Sequence, residues 1–231
     1  PRTLSIGGRL GYRDAGDTPN TQVVYHDYAK APLIFETRGL PRSKQAQENW
    51  GKSMDQFRGS GVGVIVQCEK GHVFVPSYRE AIAYDLRGEQ LKRWKGGTPH
   101  HANWLAAIAA RDAGHLNAEI REGHVSSSLC HTGGVSHQLG EHATAGAIAE
   151  QVAANDLLSG AFARMAGHLR ANGVDIDSEP GSLTLGPWLE VDPETETFVG
   201  NDDVNELLTR DYRQPYTVPN VEGELTAAAA G

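Results

Sequence analysis

The stretch GVGVIVQCEKGHVFVPSY, residues 61–78, decides the fold class of this chain. Two segments within it, 62–68 and 72–78, are rich in β-branched and aromatic residues, which favour extended strands. The tripeptide between them, Glu69-Lys70-Gly71, is turn-like and ends on glycine, a residue that adopts positive φ easily. The stretch therefore predicts a β-hairpin.

Further hairpins are predicted on both sides of this one. Residues 81–85 and 90–94 flank a Gly-containing turn, and residues 21–28 and 32–38 flank a shorter turn. A strand is also predicted over 3–12. A succession of hairpins indicates an antiparallel or mixed sheet and not an array of βαβ units.

Helical periodicity begins near residue 100, where Trp104, Leu105, Ile108 and Ala109 have the spacing of one apolar face. Residues 41–59 are polar and patternless and predict a long loop, a kind of segment that is often functional or mobile. The other elements predicted are a helix over 120–139, a helix over 147–171 that breaks near Asn155 with Asp156 capping the new start, a strand over 182–191 and a helical turn over 205–209.

These elements predict an α+β fold with a large, open, predominantly antiparallel β-sheet backed by a few α-helices. We expect one domain over residues 1–222, divided into a sheet-rich part (1–98), a helical part (99–172) and an extended tail (173–222). Residues 223–231, which end in an alanine run, are expected to be disordered.

Composition excludes several classes of function. The chain of 231 residues is 39% hydrophobic and carries a formal charge of −8 with no basic stripe, which argues against nucleic-acid binding. No window approaches about 18 uninterrupted apolar residues, so no membrane-spanning helix is expected. The two cysteines, Cys68 and Cys130, cannot form a disulfide framework. Because Pro1 leads almost directly into a strand, we expect a processed or partial N-terminus, and the compartment, periplasm or cytoplasm, stays open.

Neither a nucleotide cradle nor a metal site is predicted. The glycine-rich segment 59–63 precedes a strand, whereas a dinucleotide fingerprint follows a strand and opens a helix. Histidines and a cysteine do cluster later, but on a helix a spacing of seven separates two side chains by about 10 Å, and adjacent side chains point apart. We therefore favour packed or exposed imidazoles over a metal site for the clustered residues His100, His101, His124, Cys130, His131 and His137.

Three places carry polar side chains suited to binding. His100 and Asn103 stand where the sheet-rich part gives way to the first helix, and they could cap that helix or face a cleft. Arg9 and Asn20 belong to a polar, turn-rich segment whose donors and acceptors suit sugar hydroxyls but are also ordinary in loops. Arg38 shares a strand face with a glutamate two residues earlier, with which it could form a solvated pair or point into a site.

The chain resembles the C-terminal part of the glucose–fructose oxidoreductase / inositol dehydrogenase (Gfo/Idh/MocA) family, and in particular its branch in planctomycete-like bacteria. The resemblance covers essentially the whole chain. The blocks that carry it, in order, are GGRLGYRDAGDTPNTQ (7–22), LIFETRGL (33–40), GVGVIVQCEKGHVFVPSY (61–78), HHANWLAAIAARDAGHLNAEIREGHVSSSLCHTGG (100–134) and LLTRDYRQPYTVP (207–219).

The resemblance implies an NAD(P)-dependent enzyme with an N-terminal Rossmann domain and a C-terminal sheet domain that binds a sugar or cyclitol and forms the oligomer interface. Hydride would pass between the nicotinamide and a carbon bearing a hydroxyl, while a general acid/base moves the hydroxyl proton. The family's dinucleotide fingerprint, its Glu-Lys-Pro motif and its Asp…His helix have no counterpart here. In addition, Gly134 and His137 stand where this branch is expected to have asparagine and an aromatic residue.

The preferred hypothesis is the substrate-binding and oligomerisation portion of an oxidoreductase acting on a sugar-like secondary alcohol, inactive by itself. NAD or NADP would be bound by a domain of the parent enzyme and not by this chain. A second copy of the chain is expected on the open sheet face, because an exposed apolar face is unusual in monomers. The alternatives are a carbohydrate-binding or interaction module without catalysis and, more weakly, a histidine-rich metal protein. No catalytic residue is assigned, and the residues expected to bind and orient the ligand are Arg9, Asn20, Arg38, His100 and Asn103.

Overall fold

The computed structural model describes residues 1–97 and 99–217, and it confirms the α+β fold with an open antiparallel sheet. The strands fall into two sheets. Eleven strands are defined in these residues: β1 (Arg2–Gly8), β2 (Thr21–Asp27), β3 (Leu33–Arg38), β4 (Val64–Cys68), β5 (Gly71–Ser77), β6 (Glu80–Asp85), β7 (Gln90–Lys95), β8 (Glu141–Ala143), β9 (Leu183–Leu185), β10 (Leu189–Asp192) and β11 (Thr197–Phe198).

All the α-helices come after β7 in the sequence. The residues described contain five α-helices, namely α1 (His100–Ala110), α2 (Ile120–Gln138), α3 (Ala145–Val152), α4 (Asp156–Ala171) and α5 (Asp202–Asn205), and three 3-10 helices, at Gln45–Lys52, Ala113–His115 and Glu206–Leu208. None of these helices is both long and apolar enough to cross a lipid bilayer.

The first sheet has seven antiparallel strands with β1 at its centre. β2 pairs with one edge of β1 and β3 with β2, while β9 and β10 share the other edge of β1. Beyond them, β8 pairs with β9 and β11 with β10. The late part of the chain therefore completes a sheet that the first 38 residues begin.

Helices cover both faces of this sheet. One face contributes alternate residues of β1 and β2, such as Leu4 and Val23, to a buried core shared with α3 and α4. The opposite face carries Ser5 and Val24, over which α2 lies: the backbone N–H of Ser5 donates to the hydroxyl of Ser136, 3.1 Å away. The approach is close enough that a Cβ at Gly133 would lie 2.7 Å from Cγ1 of Val24.

The second sheet is a meander of four antiparallel strands, β4 to β7, joined by consecutive hairpins. Within the described residues its extensive contacts are among its own strands. One face presents seven apolar residues, which we call the apolar face: Val64, Val66, Val73, Val75, Ala81, Ala83 and Trp94. Lys92, which pairs with Ala83, lies on the same side of the sheet, with its ammonium over the Trp94 ring.

Three sequence expectations need correction. The long helix does break before Asp156, but the cap is Asn155, whose side chain accepts a hydrogen bond from the backbone of Leu158. Residues 41–59, expected to be a patternless loop, contain the 3-10 helix Gln45–Lys52. The extended segment at 182–191 is two strands, because β9 and β10 pair with different parts of β1. The expected disordered tail, 223–231, lies outside the described residues.

Candidate functional site

One end of the first sheet gathers three of the five residues expected to bind a ligand. Gly8 pairs with Thr21, and Thr21 pairs with Arg38, so the end of β1, the start of β2 and the end of β3 lie side by side. Arg9 follows β1 directly, and Asn20 directly precedes β2. The structure thus places Arg9, Asn20 and Arg38 at the same sheet end, which we call the sheet-end site.

At this site, Arg9 and Asn20 hold the connection between β1 and β2 in shape. The Arg9 guanidinium donates to both carboxylate oxygens of Asp14 and, over 2.9 Å, to the carbonyl of Thr18. That hydrogen bond to Asp14 is the main reason why the pKa of the Asp14 carboxyl lies below its usual value. Asn20 accepts from the backbone N–H of Leu10 and donates to its carbonyl, over 3.1 and 2.9 Å. A ligand would therefore compete with the loop for these groups.

Arg38 lies in a group of charged side chains between β3 and α4. Its guanidinium donates to Glu36 over 2.5 Å, and Asp55 lies 3.9 Å from Nε of Arg38. Arg164 of α4 donates to the other oxygen of Glu36. We call Glu36, Arg38, Asp55, Arg164 and the neighbouring His168 the charge cluster. The expected pair of Glu36 and Arg38 forms, but it is largely buried beneath α4 and is not solvated.

His168 is the most deeply buried member of the charge cluster. Its side chain is 2% exposed, and Nδ1 lies 3.0 Å from Oδ2 of Asp55. The two groups are not aligned for a hydrogen bond, and among the residues described neither ring nitrogen of His168 has a hydrogen-bond partner. Burial lowers the pKa of His168, an effect that Arg38 reinforces and Asp55 opposes. Burial therefore favours the neutral imidazole over the protonated one.

The charge cluster is balanced as a whole. Two guanidiniums face two carboxylates, and the imidazole adds no charge while it is neutral. Guanidiniums only donate hydrogen bonds, carboxylates only accept them, and a neutral imidazole does both. Such a set matches the hydroxyls of an uncharged polyol, which both donate and accept. An anionic group such as phosphate would instead meet two carboxylates.

His100 and Asn103 lie elsewhere, on α1, whose most extensive contacts are with the following 3-10 helix. Asn103 donates to the carbonyl of His115 over 2.7 Å and accepts from the backbone of Asn117, so it braces this turn and does not cap α1. The cap position is Pro99. The expectation that His100 and its neighbour point apart is wrong, because the centres of the two rings are 4.1 Å apart.

A second concave surface lies on the meander, on the side opposite the apolar face. It is an open cleft of about 560 Å³, and the rings of His72 and Tyr84 stack within it, 5.1 Å between centres. Arg87 at its rim is already paired with Asp85 and Glu89. Throughout residues 1–97 and 99–217, no three His, Cys, Asp or Glu side chains are grouped so as to hold a metal ion.

Sequence reasoning missed Asp55, Arg164 and His168. Arg164 and His168 are four residues apart on α4 and lie on one face of the helix beside its buried apolar residues, a spacing visible in the sequence. Nothing local indicates Asp55, which lies in the segment expected to be patternless. Its partners are set by the way in which α4 packs on β3.

We compared the chain with known protein families, curated proteins and solved structures. No protein-family model, no curated protein and no solved structure matches the chain.

Proposed function

We propose that this chain is the substrate-binding and oligomerisation portion of an NAD(P)-dependent oxidoreductase that resembles the Gfo/Idh/MocA family and acts on a sugar or cyclitol. The observation that carries the proposal is the balanced charge cluster beside the sheet-end site. Donors and acceptors without net charge suit a polyhydroxylated, uncharged ligand. The ordered blocks of family-like sequence add the reaction type.

The division of labour follows from the side chains. Arg9, Asn20 and Arg38 would bind and orient hydroxyl groups at the sheet end, while His100 and Asn103 would contribute from α1 if an assembled protein brings α1 to the ligand. No catalytic role is assigned to any residue of this chain. NAD or NADP, bound by another domain of the parent enzyme, would supply the hydride acceptor, so the chain alone should not turn over substrate.

The apolar face gives the oligomerisation part of the proposal its physical basis. Val64 and Val66 on this face are 54% and 50% exposed, and Trp94 is 44% exposed. Because two copies with a formal charge of −8 each repel one another, a contact made mainly through uncharged side chains is the favourable one. We take a second copy of the chain as the occupant, related by a two-fold axis that sets the face against itself.

Helix α1 also exposes apolar residues. Trp104, Leu105 and Ile108 are each more than half exposed. A standard interface buries about 800 Å² on each partner, more than a four-stranded face alone provides. We therefore include α1 in the proposed contact.

Calorimetric titration of the purified chain with a panel of sugars and cyclitols tests the ligand part. We expect saturable binding of at least one uncharged polyol, weakened at least about tenfold in Arg38→Ala. Arg87→Ala, at an exposed turn of the meander, is the matched control and should bind as the wild type does. The proposal fails if no polyol binds, or if Arg38→Ala and Arg87→Ala bind equally.

Intact mass spectrometry of the protein from its native source tests the remainder. A mass well above 24.9 kDa is expected, because the parent enzyme needs a dinucleotide-binding domain. A mass near 24.9 kDa would instead favour a carbohydrate-binding or interaction module without catalysis. Turnover of NAD(P) by the isolated chain with any sugar of the panel would contradict its proposed inactivity.

A further inference from the structure

The segment between β3 and β4 is fastened along one face of α4. Near its start, the side-chain amide of Asn172 donates to the carbonyl of Pro41 over 2.8 Å, and its oxygen accepts from Gln47 over 3.0 Å. Asn172 is itself 5% exposed, so these hydrogen bonds are shielded from water. They fix the first part of the segment.

Two further contacts hold the later part of the segment, one and two turns earlier on α4. His168 lies against Asp55, and the guanidinium of Arg164 lies over the ring of Phe57, 4.8 Å from its centre. Positions 164, 168 and 172 follow the i, i+4, i+8 spacing that places side chains on one face of a helix. Three consecutive turns of α4 therefore hold residues 41–57, and we call residues 53–60 the strap.

The middle contact is the one that contains a titratable imidazole. His168 is enclosed without a hydrogen-bond partner among the described residues, and it faces Asp55 of the strap and Arg38 of β3, with Glu36 and Arg164 completing its charged surroundings. A proton on this ring would place a positive charge in a buried position close to the Arg38 guanidinium. Only Asp55 offers direct compensation.

We propose that the strap is a pH-sensitive closure over Arg38, held shut while His168 is neutral and released when His168 is protonated. While the strap is closed, Asp55 lies beside Arg38 and competes with any ligand for its guanidinium. When the strap lifts, Asp55 withdraws from Arg38 and His168 becomes accessible to water. Acidic conditions would therefore uncover the sheet-end site.

Acid should favour the open strap because protonation of His168 and strap opening are linked equilibria. With the strap closed, burial holds the pKa of His168 below its ordinary value, whereas with the strap open the solvated ring titrates normally, at about 6.5. The closed state is thus fully favoured above about pH 6.5 and loses ground as the pH falls below that value. At pH 5.5 the equilibrium constant for strap opening can increase by at most about tenfold, because this pH lies one unit below the ordinary pKa of histidine.

Hydrogen-exchange mass spectrometry on the complete chain tests the proposal. After correction for intrinsic exchange, we expect peptides covering 53–60 to exchange about three- to tenfold faster at pH 5.5 than at pH 7.5. Peptides of β1 and β2 should keep their protection, which distinguishes local release from general unfolding. In His168→Gln the strap should exchange equally at both pH values, while His101→Gln, at an exposed histidine, should respond as the wild type does.

A second variant keeps the test independent of how well His168→Gln folds. Asp55→Asn removes the one negative charge next to the imidazole, so protonation in the closed state becomes harder and the acid-induced increase in exchange should grow. If the contact between Asp55 and His168 were only a structural tether, Asp55→Asn would raise strap exchange equally at both pH values. Unchanged strap exchange between pH 7.5 and 5.5 in the wild type, or an acid response that survives in His168→Gln, would overturn the proposal.

The consequence for ligand binding rests on the proposed function, but strap release does not. If polyol binding strengthens at pH 5.5 in step with strap exchange, the strap regulates the sheet-end site. If the strap releases without any polyol binding, the ligand proposal fails and the strap proposal stands.

Discussion

The two sheets of this protein are built from similar strands but reach opposite states. The first sheet has helices on both faces, and residues such as Ile6 and Val23 are fully buried. The meander has comparable β-branched residues, yet Val64 and Val66 remain about half exposed. Strand sequences alone therefore do not reveal which sheet is covered, because coverage depends on helices supplied from elsewhere in the chain.

The difference lies in where the partners of each sheet come from. Every pairing within the meander joins neighbours in sequence, so its strand hydrogen bonds need no strand from elsewhere in the chain. The first sheet needs β9 and β10, together with α2 and α4, from the second half of the chain. An apolar face left bare by a locally complete sheet is available for another molecule.

The largest expected effect on stability comes from truncating one leucine in each sheet region. Leu169 of α4 is fully buried against the first sheet, whereas Leu91 of the meander is 66% exposed. Leu169→Ala should lower the free energy of unfolding by about 2–5 kcal/mol, because it leaves a cavity. Leu91→Ala should change it by less than about 0.5 kcal/mol. Urea unfolding measures both, and equal losses would show that the meander is as well packed as the core.

Smaller changes in stability, of opposite sign, are expected when two adjacent glycines of α2 are replaced by alanine. A side chain at Gly133 would press on Val24, while a Cβ at Gly134 meets nothing within 4 Å. Gly133→Ala should destabilise the protein by about 1–2 kcal/mol through overpacking, even after its gain in helix propensity. Gly134→Ala should stabilise it by about 0.5–1 kcal/mol. If thermal unfolding showed that both variants gain stability, α2 would not lie tightly on the sheet.

A substitution on the apolar face should have the smallest effect on folding stability but should abolish dimerisation. Val66→Lys places a charge on the β4 edge of the apolar face and should change the free energy of unfolding by less than about 0.5 kcal/mol. Light scattering at tens of micromolar should show a dimer for the wild type and a monomer near 24.9 kDa for Val66→Lys. The control is Leu86→Lys, at a residue that is 75% exposed in a turn, which should stay dimeric. A monomeric wild type would remove the second copy from the proposal.

Much of the fold could be predicted from sequence because short-range sequence patterns determine where its strands and helices begin and end. The hairpins around Gly71 and the break before Asp156 are signalled by turn residues and capping residues within a few positions. The separation into two sheets could not be predicted in this way. The first sheet ends at its edge strand β3, β4 starts a separate sheet, and β9 and β10 pair with β1 from a distant part of the chain.

The candidate site was predictable only in part, for the same physical reason. Arg9, Asn20 and Arg38 lie near strand ends that pair in register, so hairpin logic alone brings them to one sheet end. Their present partners were less accessible to prediction. Asp55 and His168 meet only because α4 packs against β3, and burial, not residue type, lowers the pKa of that histidine.

The fastening of the strap region on α4 also bears on the order of folding. Asn172 and Pro41 are 131 residues apart in sequence, and Arg164 and Glu36 are 128 apart. At typical translation rates about 6 to 26 seconds separate the emergence of the two sides of each contact. Closing loops of that length is slow compared with forming consecutive hairpins. The meander should therefore be among the first structures to form during synthesis, and the segment over Arg38 among the last, which leaves that arginine open to solvent until α4 is complete.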